Sequence, residues 1–113
     1  MSSARIETYR EFWPFYLREH SNRTSRGLHY AGTSLAIASL ISALATENYW
    51  YLLLMVVGAY GLAWLGHFVF ERNRPATFQY PFWSLFSDFR LYLLWLTGRL
   101  GPELVKAGVK VGS

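Results

Sequence analysis

Three histidines are the residues best suited to chemistry in this chain of 113 residues, which contains no cysteine. His20, His29 and His67 lie in three separate parts of the sequence, so a particular fold is needed to bring them together. Neutral imidazole is a common ligand for zinc, copper, iron and nickel, whereas thiolate sites are excluded by the composition. The histidines therefore form a candidate metal site if the surrounding elements place them side by side.

Two carboxylates are candidates to complete such a site. Glu71 follows His67 by four residues, which places both side chains on one face of a helix. Asp88 lies in an otherwise aromatic and apolar segment. Either carboxylate could ligate a metal directly or orient a ligating imidazole by accepting its N–H. The motifs GxSxG, P-loop and GxGxxG, which mark other catalytic classes, are absent from the chain.

The elements that must position the histidines are apolar helices, because two long uncharged runs dominate the chain. Residues 27–46 and residues 48–70 contain no Asp, Glu, Lys or Arg. A helix of about 20 apolar residues crosses the hydrocarbon core of a membrane. Only Glu47 separates the two runs, so they predict a transmembrane helical hairpin with a tight turn. The composition, 52% hydrophobic and 16% charged, excludes a disordered chain and argues against a water-soluble globule.

Two further helices are predicted on either side of the hairpin. Apolar residues before the hairpin recur at three- and four-residue steps, which predicts an amphipathic helix at the membrane surface. The aromatic segment after the hairpin contains Asp88 and Arg90, which favours an interfacial or re-entrant helix over a third crossing. The predicted fold is therefore a single, all-α integral membrane domain. Its segments are an amphipathic helix 5–20, spans 26–46 and 48–72, an interfacial helix 80–100 and a frayed tail 101–113.

Small residues predict which faces of the two spans pack together. They recur at three- and four-residue steps, a spacing that lets membrane helices approach closely. On the first span they are Ala31, Ser34, Ala38 and Ser42, and on the second span they are Ala59, Ala63 and Gly66.

Basic residues determine the predicted orientation of the hairpin. Five Arg and three Glu precede the first span, and the turn carries only Glu47. The second span is followed by Arg72 and Arg74 and, farther on, by Arg99, Lys106 and Lys110. Because basic residues stay on the cytoplasmic side, both termini should be cytoplasmic. The basic residues lie at the ends of apolar runs and form no patch, so nucleic acid is not an expected partner, whereas membrane lipids are. The oligomeric state stays open, a homo-oligomer included.

This topology predicts that the three histidines converge. The hairpin is antiparallel, so His29 and His67 reach the same depth near the cytoplasmic boundary, and the polar turn after His20 returns that residue to the same level. An ionisable residue at such a depth is a functional candidate. The predicted convergence therefore strengthens the case for a metal site.

Four segments of the chain resemble the 2-hydroxy fatty acid dioxygenases, a family of small membrane proteins. The resemblance covers roughly residues 8–100. The segments are Phe15–Arg26 (FYLREHSNRTSR), Leu28–Ser34 (LHYAGTS), Gly66–Phe78 (GHFVFERNRPATF) and Tyr80–Arg90 (YPFWSLFSDFR). The short chain resembles a bacterial member, which implies a location in the inner membrane.

The resemblance implies an enzyme that uses Fe(II) and O₂ to shorten a long-chain 2-hydroxy fatty acid by one carbon. The family's essential histidines match His20, His29 and His67. A 2-hydroxy acid can chelate a metal through its carboxylate and its adjacent hydroxyl, and an arginine could balance the carboxylate charge. The candidates for that substrate-binding role are Arg72, Arg74 and Arg90.

Two other functions fit the same residues. A metal-dependent lipid hydrolase would use zinc-activated water at the histidine site. A non-enzymatic helical-hairpin membrane protein would need no metal. The metal content of the purified protein distinguishes the three functions, since iron favours the dioxygenase and zinc favours the hydrolase.

Overall fold

The computed structural model describes residues 5–109, and every regular element within this range is helical. The prediction of an all-α chain is thus confirmed. A π-helical segment, Gly66–Glu71, continues α3, and a single 3-10 turn, Ala76–Phe78, precedes α4. The predicted cytoplasmic location of the C-terminus concerns residues 110–113, which lie outside the described residues. The five α-helices are α1 (Tyr9–Arg18), α2 (Arg23–Thr46), α3 (Trp50–Leu65), α4 (Pro81–Leu96) and α5 (Leu100–Ala107).

Local capping determines where the helices of the hairpin begin and end. The Asn22 side chain accepts hydrogen bonds from the backbone N–H of Thr24 and of Ser25, at 2.8 and 3.1 Å. This N-cap starts α2 three residues before the predicted start of the first span. At the other end Glu47 adopts a left-handed conformation, with φ of 57°, and reverses the chain. The turn is short because α3 already begins at Trp50.

The two long helices pack closely where a glycine removes the side chain between them. A Cβ atom added to Gly32 would lie only 3.0 Å from the carbonyl oxygen of Ala59. A Cβ atom added to Gly66 would similarly lie 2.8 Å from the Ser25 hydroxyl. The predicted packing face of the second span therefore includes Ala59 and Gly66, as expected for small residues between membrane helices.

The predicted packing face of the first span is wrong. Three of the four small residues expected to face α3 are exposed, namely Ala31, Ser34 and Ala38, and the fourth, Ser42, is only partly buried. Gly32, Ser39 and Ala43 are buried instead, because the close approach at Gly32 rotates the packed face by about one residue.

The outer surface of the hairpin is apolar. Arg23–Thr46 and Trp50–Glu71 are both long and apolar enough to cross a membrane. Only 22% and 11% of their most apolar windows are buried, whereas the core helices of a soluble protein are mostly buried. Large side chains such as Leu44 and Val57 are more than half exposed, at 68% and 61%. These helices therefore present their hydrophobic surface outward.

The other helices form an aromatic core beside the hairpin. Phe12, Tyr16 and Leu17 of α1 are fully buried and pack with residues of α4 and α5. The predicted frayed tail differs from the structure, because residues 100–107 form α5. Its Leu100 and Leu104 are buried in this core.

The helix predicted over residues 80–100 ends earlier, at Leu96. Gly98, with φ of 72°, follows the end of α4 and separates it from α5. α4 buries its polar residues Ser84 and Ser87 and exposes aromatic ones, with Phe82 84% exposed. This inverted pattern resembles a helix in an apolar environment.

Candidate metal centre

The structure brings the three predicted histidines together in one buried cluster. His20 lies in the turn after α1, His29 lies in α2, and His67 is the second residue of the π-helical segment. Their ring centroids are separated by 4.3, 4.5 and 5.0 Å, and none of the three residues is more than 6% exposed. One ring nitrogen from each lies within 4.8 Å of the other two, which makes the three histidines a candidate ligand set for one metal ion.

Each imidazole is oriented by an oxygen that can only accept a hydrogen bond. Nδ1 of His20 lies 2.7 Å from the Tyr16 carbonyl, and Nδ1 of His29 lies 3.0 Å from the Ser25 carbonyl. The third, His67, places Nδ1 at 2.7 Å from the amide oxygen of Asn73. Because these oxygens are acceptors, Nδ1 carries the proton in every ring. The three Nε2 atoms are then left with free lone pairs, which is the tautomer that binds metals.

Two of these lone pairs face each other. Nε2 of His20 lies 3.0 Å from Nε2 of His29, although both Nδ1 atoms already hold the single proton of a neutral ring. A hydrogen bond between them would require a buried imidazolium, and burial together with the neighbouring imidazoles lowers the pKa of His20. Nitrogens that share a metal at about 2.0–2.1 Å lie roughly 2.9–3.4 Å apart. The His20–His29 pair therefore fits two ligands of one metal ion better than it fits a hydrogen bond.

Asn73 fixes the third ring, and sequence reasoning missed it. Its side-chain N–H donates to the Glu19 carbonyl at 3.0 Å, which turns the amide oxygen toward His67. Its backbone N–H donates to the His67 carbonyl, also at 3.0 Å. This return of the chain follows Arg72, which has a left-handed conformation with φ of 57°. No spacing rule identifies such a partner, because it acts across a loop.

Tyr16 and Arg26 also hold His20 and were not identified from the sequence. The phenol ring of Tyr16 stacks on the imidazole with 4.1 Å between centroids. The guanidinium of Arg26, which is 4% exposed, donates to the His20 carbonyl at 2.8 Å. The four-residue step from Tyr16 to His20 is a helical spacing that could have indicated the stacked pair.

Neither predicted carboxylate belongs to the histidine cluster as residues 5–109 describe it. Glu71 accepts a hydrogen bond from the backbone N–H of Asn22 at 2.7 Å, so it stabilises the start of α2. Asp88 accepts a hydrogen bond from the Tyr16 hydroxyl. Burial raises the pKa of the Asp88 carboxyl to about 7, against the opposing effect of that hydrogen bond. Asp88 therefore holds the hydroxyl of Tyr16, the residue whose ring stacks on His20.

The three predicted substrate-binding arginines do not line the cavity beside the histidines. The guanidinium of Arg90 lies 4.1 Å from the centroid of the Trp13 ring, and that of Arg74 lies 5.6 Å from the Phe78 ring. Arg72 is exposed at the end of the π-helical segment. Arg74 and Arg90 thus have aromatic partners, and Arg72 reverses the chain.

Two spaces open beside the histidines. A small cavity of about 10 Å³ is lined by all three imidazoles, by aromatic residues and by Ser84 and Asp88. This volume is about enough for one water molecule, so the cavity has room beside the cluster for a single small group. A groove of about 340 Å³ continues from His29 between α2, α3 and α4. The cluster is therefore buried but adjoins a space of ligand size.

The fold and the site define a small helical protein with an apolar hairpin and a buried three-histidine cluster at its base. The chain belongs to the Mpo1-like family, whose description is 2-hydroxy-palmitic acid dioxygenase Mpo1-like and whose model matches residues 6–100. The predicted resemblance is therefore confirmed. No curated protein matches the chain significantly, and no solved structure does.

Proposed function

We propose that the protein is an Fe(II)-dependent dioxygenase that shortens long-chain 2-hydroxy fatty acids by one carbon at a membrane boundary. The observation that carries this proposal is the arrangement of three buried imidazoles with free Nε2 lone pairs, two of them 3.0 Å apart. The description of the family, which names a 2-hydroxy-palmitic acid dioxygenase, supplies the substrate class.

The proposed reaction balances without a second organic substrate. The 2-hydroxy acid and O₂ give the acid one carbon shorter, CO₂ and water. The bond between C1 and C2 breaks, C2 becomes the new carboxyl carbon, and the substrate supplies all four electrons that reduce O₂. A 2-oxo acid is therefore not required.

The residues of this chain would hold the metal and shape its surroundings. His20, His29 and His67 would be the ligands, and the bound iron would supply redox and Lewis-acid chemistry for O₂. The orienting oxygens of Tyr16, Ser25 and Asn73 keep the three imidazoles in the Nε2-ligating tautomer. Tyr60 and Trp64 line the small cavity and would exclude bulk water from it. The charge-balancing role of the three arginines stays a prediction, which Arg→Gln variants would test.

The site would lie at the cytoplasmic face of the membrane, the inner membrane of a bacterium. The exposed apolar faces of α2 and α3 support insertion, and the basic residues near both ends of the hairpin support cytoplasmic termini. The histidines then lie next to the basic ends, where the polar head of a fatty acid would be found.

The test uses anaerobically iron-loaded protein that receives 2-hydroxypalmitate and then air. We expect the acid one carbon shorter by mass spectrometry, with O₂ consumed in equal amount and no requirement for 2-oxoglutarate. Palmitate, which lacks the hydroxyl, should react poorly. Single His20→Ala, His29→Ala and His67→Ala variants should lose iron while remaining helical. Product formation without O₂ would contradict the proposal.

A zinc-dependent lipid hydrolase is the second candidate, because the described cluster contains three imidazoles and no carboxylate. Three histidines with an open position also form a catalytic zinc site. Zinc in the protein purified from cells, with hydrolysis of an acyl ester and no O₂ uptake, would support this candidate instead. Protein without metal that also fails to bind iron would support the non-enzymatic hairpin.

A further inference from the structure

Ser84 is a buried hydroxyl with no hydrogen-bond partner among residues 5–109. It is 2% exposed on α4 and lines the small cavity beside the three histidines. Buried hydroxyls are nearly always hydrogen-bonded, because losing water without a replacement is unfavourable. Ser87 on the same helix follows this rule, since its Oγ lies 2.8 Å from the Tyr9 hydroxyl. Ser84 therefore offers an unused hydrogen bond to whatever enters the cavity.

The small cavity adjoins the groove between α2, α3 and α4. Four residues line both spaces, namely His29, Tyr60, Ala63 and Asp88. The groove measures about 340 Å³, at the lower end of the roughly 300–1,000 Å³ of small-molecule pockets. Its lining away from the histidines includes Gly32, Ala36, Met55, Val56, Ala59 and Phe89. The two spaces together have one polar end and one apolar end.

We propose that this continuous space binds a fatty acid, with an oxygen of its head group bonded to Ser84 Oγ and its acyl chain along the groove toward Ala36 and Met55. A fatty acid fits the polarity of this space, since polar groups occur mainly at the histidine end and the remaining wall is apolar apart from Thr33. Most of the apolar wall belongs to α2 and α3, the two helices whose outer faces suit a membrane, and Leu85 and Phe89 of α4 complete it. The identity of the acid rests on the proposed function, but its binding requires neither iron nor O₂.

The geometry of the helix sets the length of chain that the groove covers. Ala36 follows His29 by seven residues, which is roughly 10 Å along α2. An extended acyl chain advances about 1.3 Å per carbon, given a C–C bond of about 1.5 Å. The groove therefore covers about eight carbons, and the rest of a palmitate-length chain passes Ala36 toward the lipid. Ala36 thus becomes a specificity-determining residue for long chains.

The first experiment compares Ser84→Ala with Ser87→Ala in metal-free protein in nanodiscs. The probe is 2-hydroxypalmitate with a photoreactive diazirine on its chain, and labelled peptides are identified by mass spectrometry. We expect labelling of the peptides that contain Ala36 and Met55, competed by unlabelled 2-hydroxypalmitate. Ser84→Ala should need about tenfold more probe for the same extent of labelling, and its Tm should be unchanged or higher. Ser87→Ala should have a lower Tm but should be labelled at the same probe concentration as the unaltered protein. Equal binding by both variants, or labelling that is not competed, would overturn the proposal.

The second experiment compares Ala36→Phe with Ala38→Phe, which lies on the same helix but is exposed and outside the groove. In Ala36→Phe, at least tenfold more 2-hydroxypalmitate should be needed to prevent labelling by the probe. The concentration of 2-hydroxyoctanoate needed should rise less than threefold. Ala38→Phe should leave both unchanged. If Ala36→Phe and Ala38→Phe changed the competition to the same extent, the proposed binding of the acyl chain in the groove would be refuted. Normal binding without O₂-dependent turnover would refute the proposed function and leave the groove in place.

Discussion

Each histidine of the cluster depends on an orienting oxygen that the sequence does not mark. Two of these oxygens are backbone carbonyls, of Tyr16 and Ser25, four residues before the histidine that each one holds. The third belongs to Asn73, across a loop. The convergence of the histidines could be predicted from the antiparallel hairpin together with the polar turn after His20. Their tautomers could not, because backbone carbonyls are the same for every residue type.

Replacing Asn73 tests whether the orientation of His67 matters for metal binding. Asn73→Leu leaves the Nδ1–H of His67 and the carbonyl of Glu19 without partners, so the ring can rotate. Loss of such an orienting partner typically costs about 10–100-fold in metal affinity. We expect a loss of this size for iron or zinc, measured by competition with a chelator.

Two further variants control this experiment. Asn73→Asp keeps an acceptor for His67 and should retain most of the affinity. Asn48→Leu removes a hydrogen bond at the opposite end of the hairpin and should leave the affinity unchanged. If Asn73→Leu bound metal like the unaltered protein, the amide would have no orienting role.

Asp88 should make stability depend on pH. Its pKa is raised by burial to about 7 from 3.8, so the folded protein binds this proton more tightly than the unfolded chain does. Stability from this group is therefore full below pH 3.8 and is lost as the pH rises to about 7, with a slope of at most about 1.4 kcal/mol per pH unit. Buried His20, whose pKa is lowered, contributes in the opposite direction.

A comparison with Asp88→Asn separates the two effects. The amide keeps an acceptor for the Tyr16 hydroxyl but has no proton to lose. We expect the Tm of the unaltered protein, relative to that of Asp88→Asn, to fall between pH 4 and pH 7 in detergent. A Tm difference that stays constant over this range would show that Asp88 does not titrate in the folded protein.

At the scale of elements, the π-helical segment positions His67 and could not be predicted from the sequence. The two long helices could be predicted because the absence of charged residues from a run is read directly from the sequence. A change of helix type within an apolar run leaves no such sign. The segment starts at Gly66, whose position against Ser25 leaves no space for a side chain. π-Helical segments often occur at functional sites.

Gly66→Ala should disturb the metal site. The added Cβ would lie 2.8 Å from the Ser25 hydroxyl and 3.3 Å from the Ser25 carbonyl oxygen, which orients His29. Relief of this clash would separate α2 from the π-helical segment. The distance between His29 and His67 would then increase. We expect lower metal content and a lower Tm.

Gly61→Ala is the matched control, since a Cβ at Gly61 on α3 meets nothing within 4 Å. It should keep the metal and stabilise the helix by up to about 1 kcal/mol. Equal metal content in the two variants would show that the contact between Gly66 and Ser25 does not position the histidines.

At the scale of the whole molecule, the chain divides between a hairpin and an aromatic core formed by α1, α4 and α5. The hairpin could be predicted because composition alone indicates it. The docking of α5 could not, because Leu100 and Leu104 are too few to form a pattern without the α1 surface that they contact. The histidine cluster lies where these two parts meet, between the turn after α1 and the ends of the hairpin.

The predicted topology determines which side of a membrane the histidine cluster would face. α2 has 24 residues and is roughly 36 Å long, enough to cross a hydrocarbon core of about 30 Å. α4 has 16 residues and is roughly 24 Å long, which is too short for a straight crossing. If the hairpin crosses a membrane twice, as proposed, residues on either side of it share one compartment, and the basic residues predict that this compartment is the cytoplasm.

The absence of native cysteines permits a direct test of this topology. Single cysteines at the exposed positions 48 and 99 would be labelled with a membrane-impermeant maleimide in oriented bacterial vesicles. Asn48→Cys should react only in right-side-out vesicles, because the turn beside Glu47 lies outside. Arg99→Cys, after α4, should react only in inverted vesicles, because α4 returns to the cytoplasmic side. Labelling of Arg99→Cys from the outside would establish a third crossing by α4. The apolar groove would then face a helix that spans the membrane, and α5 would lie on the side opposite to the one proposed here.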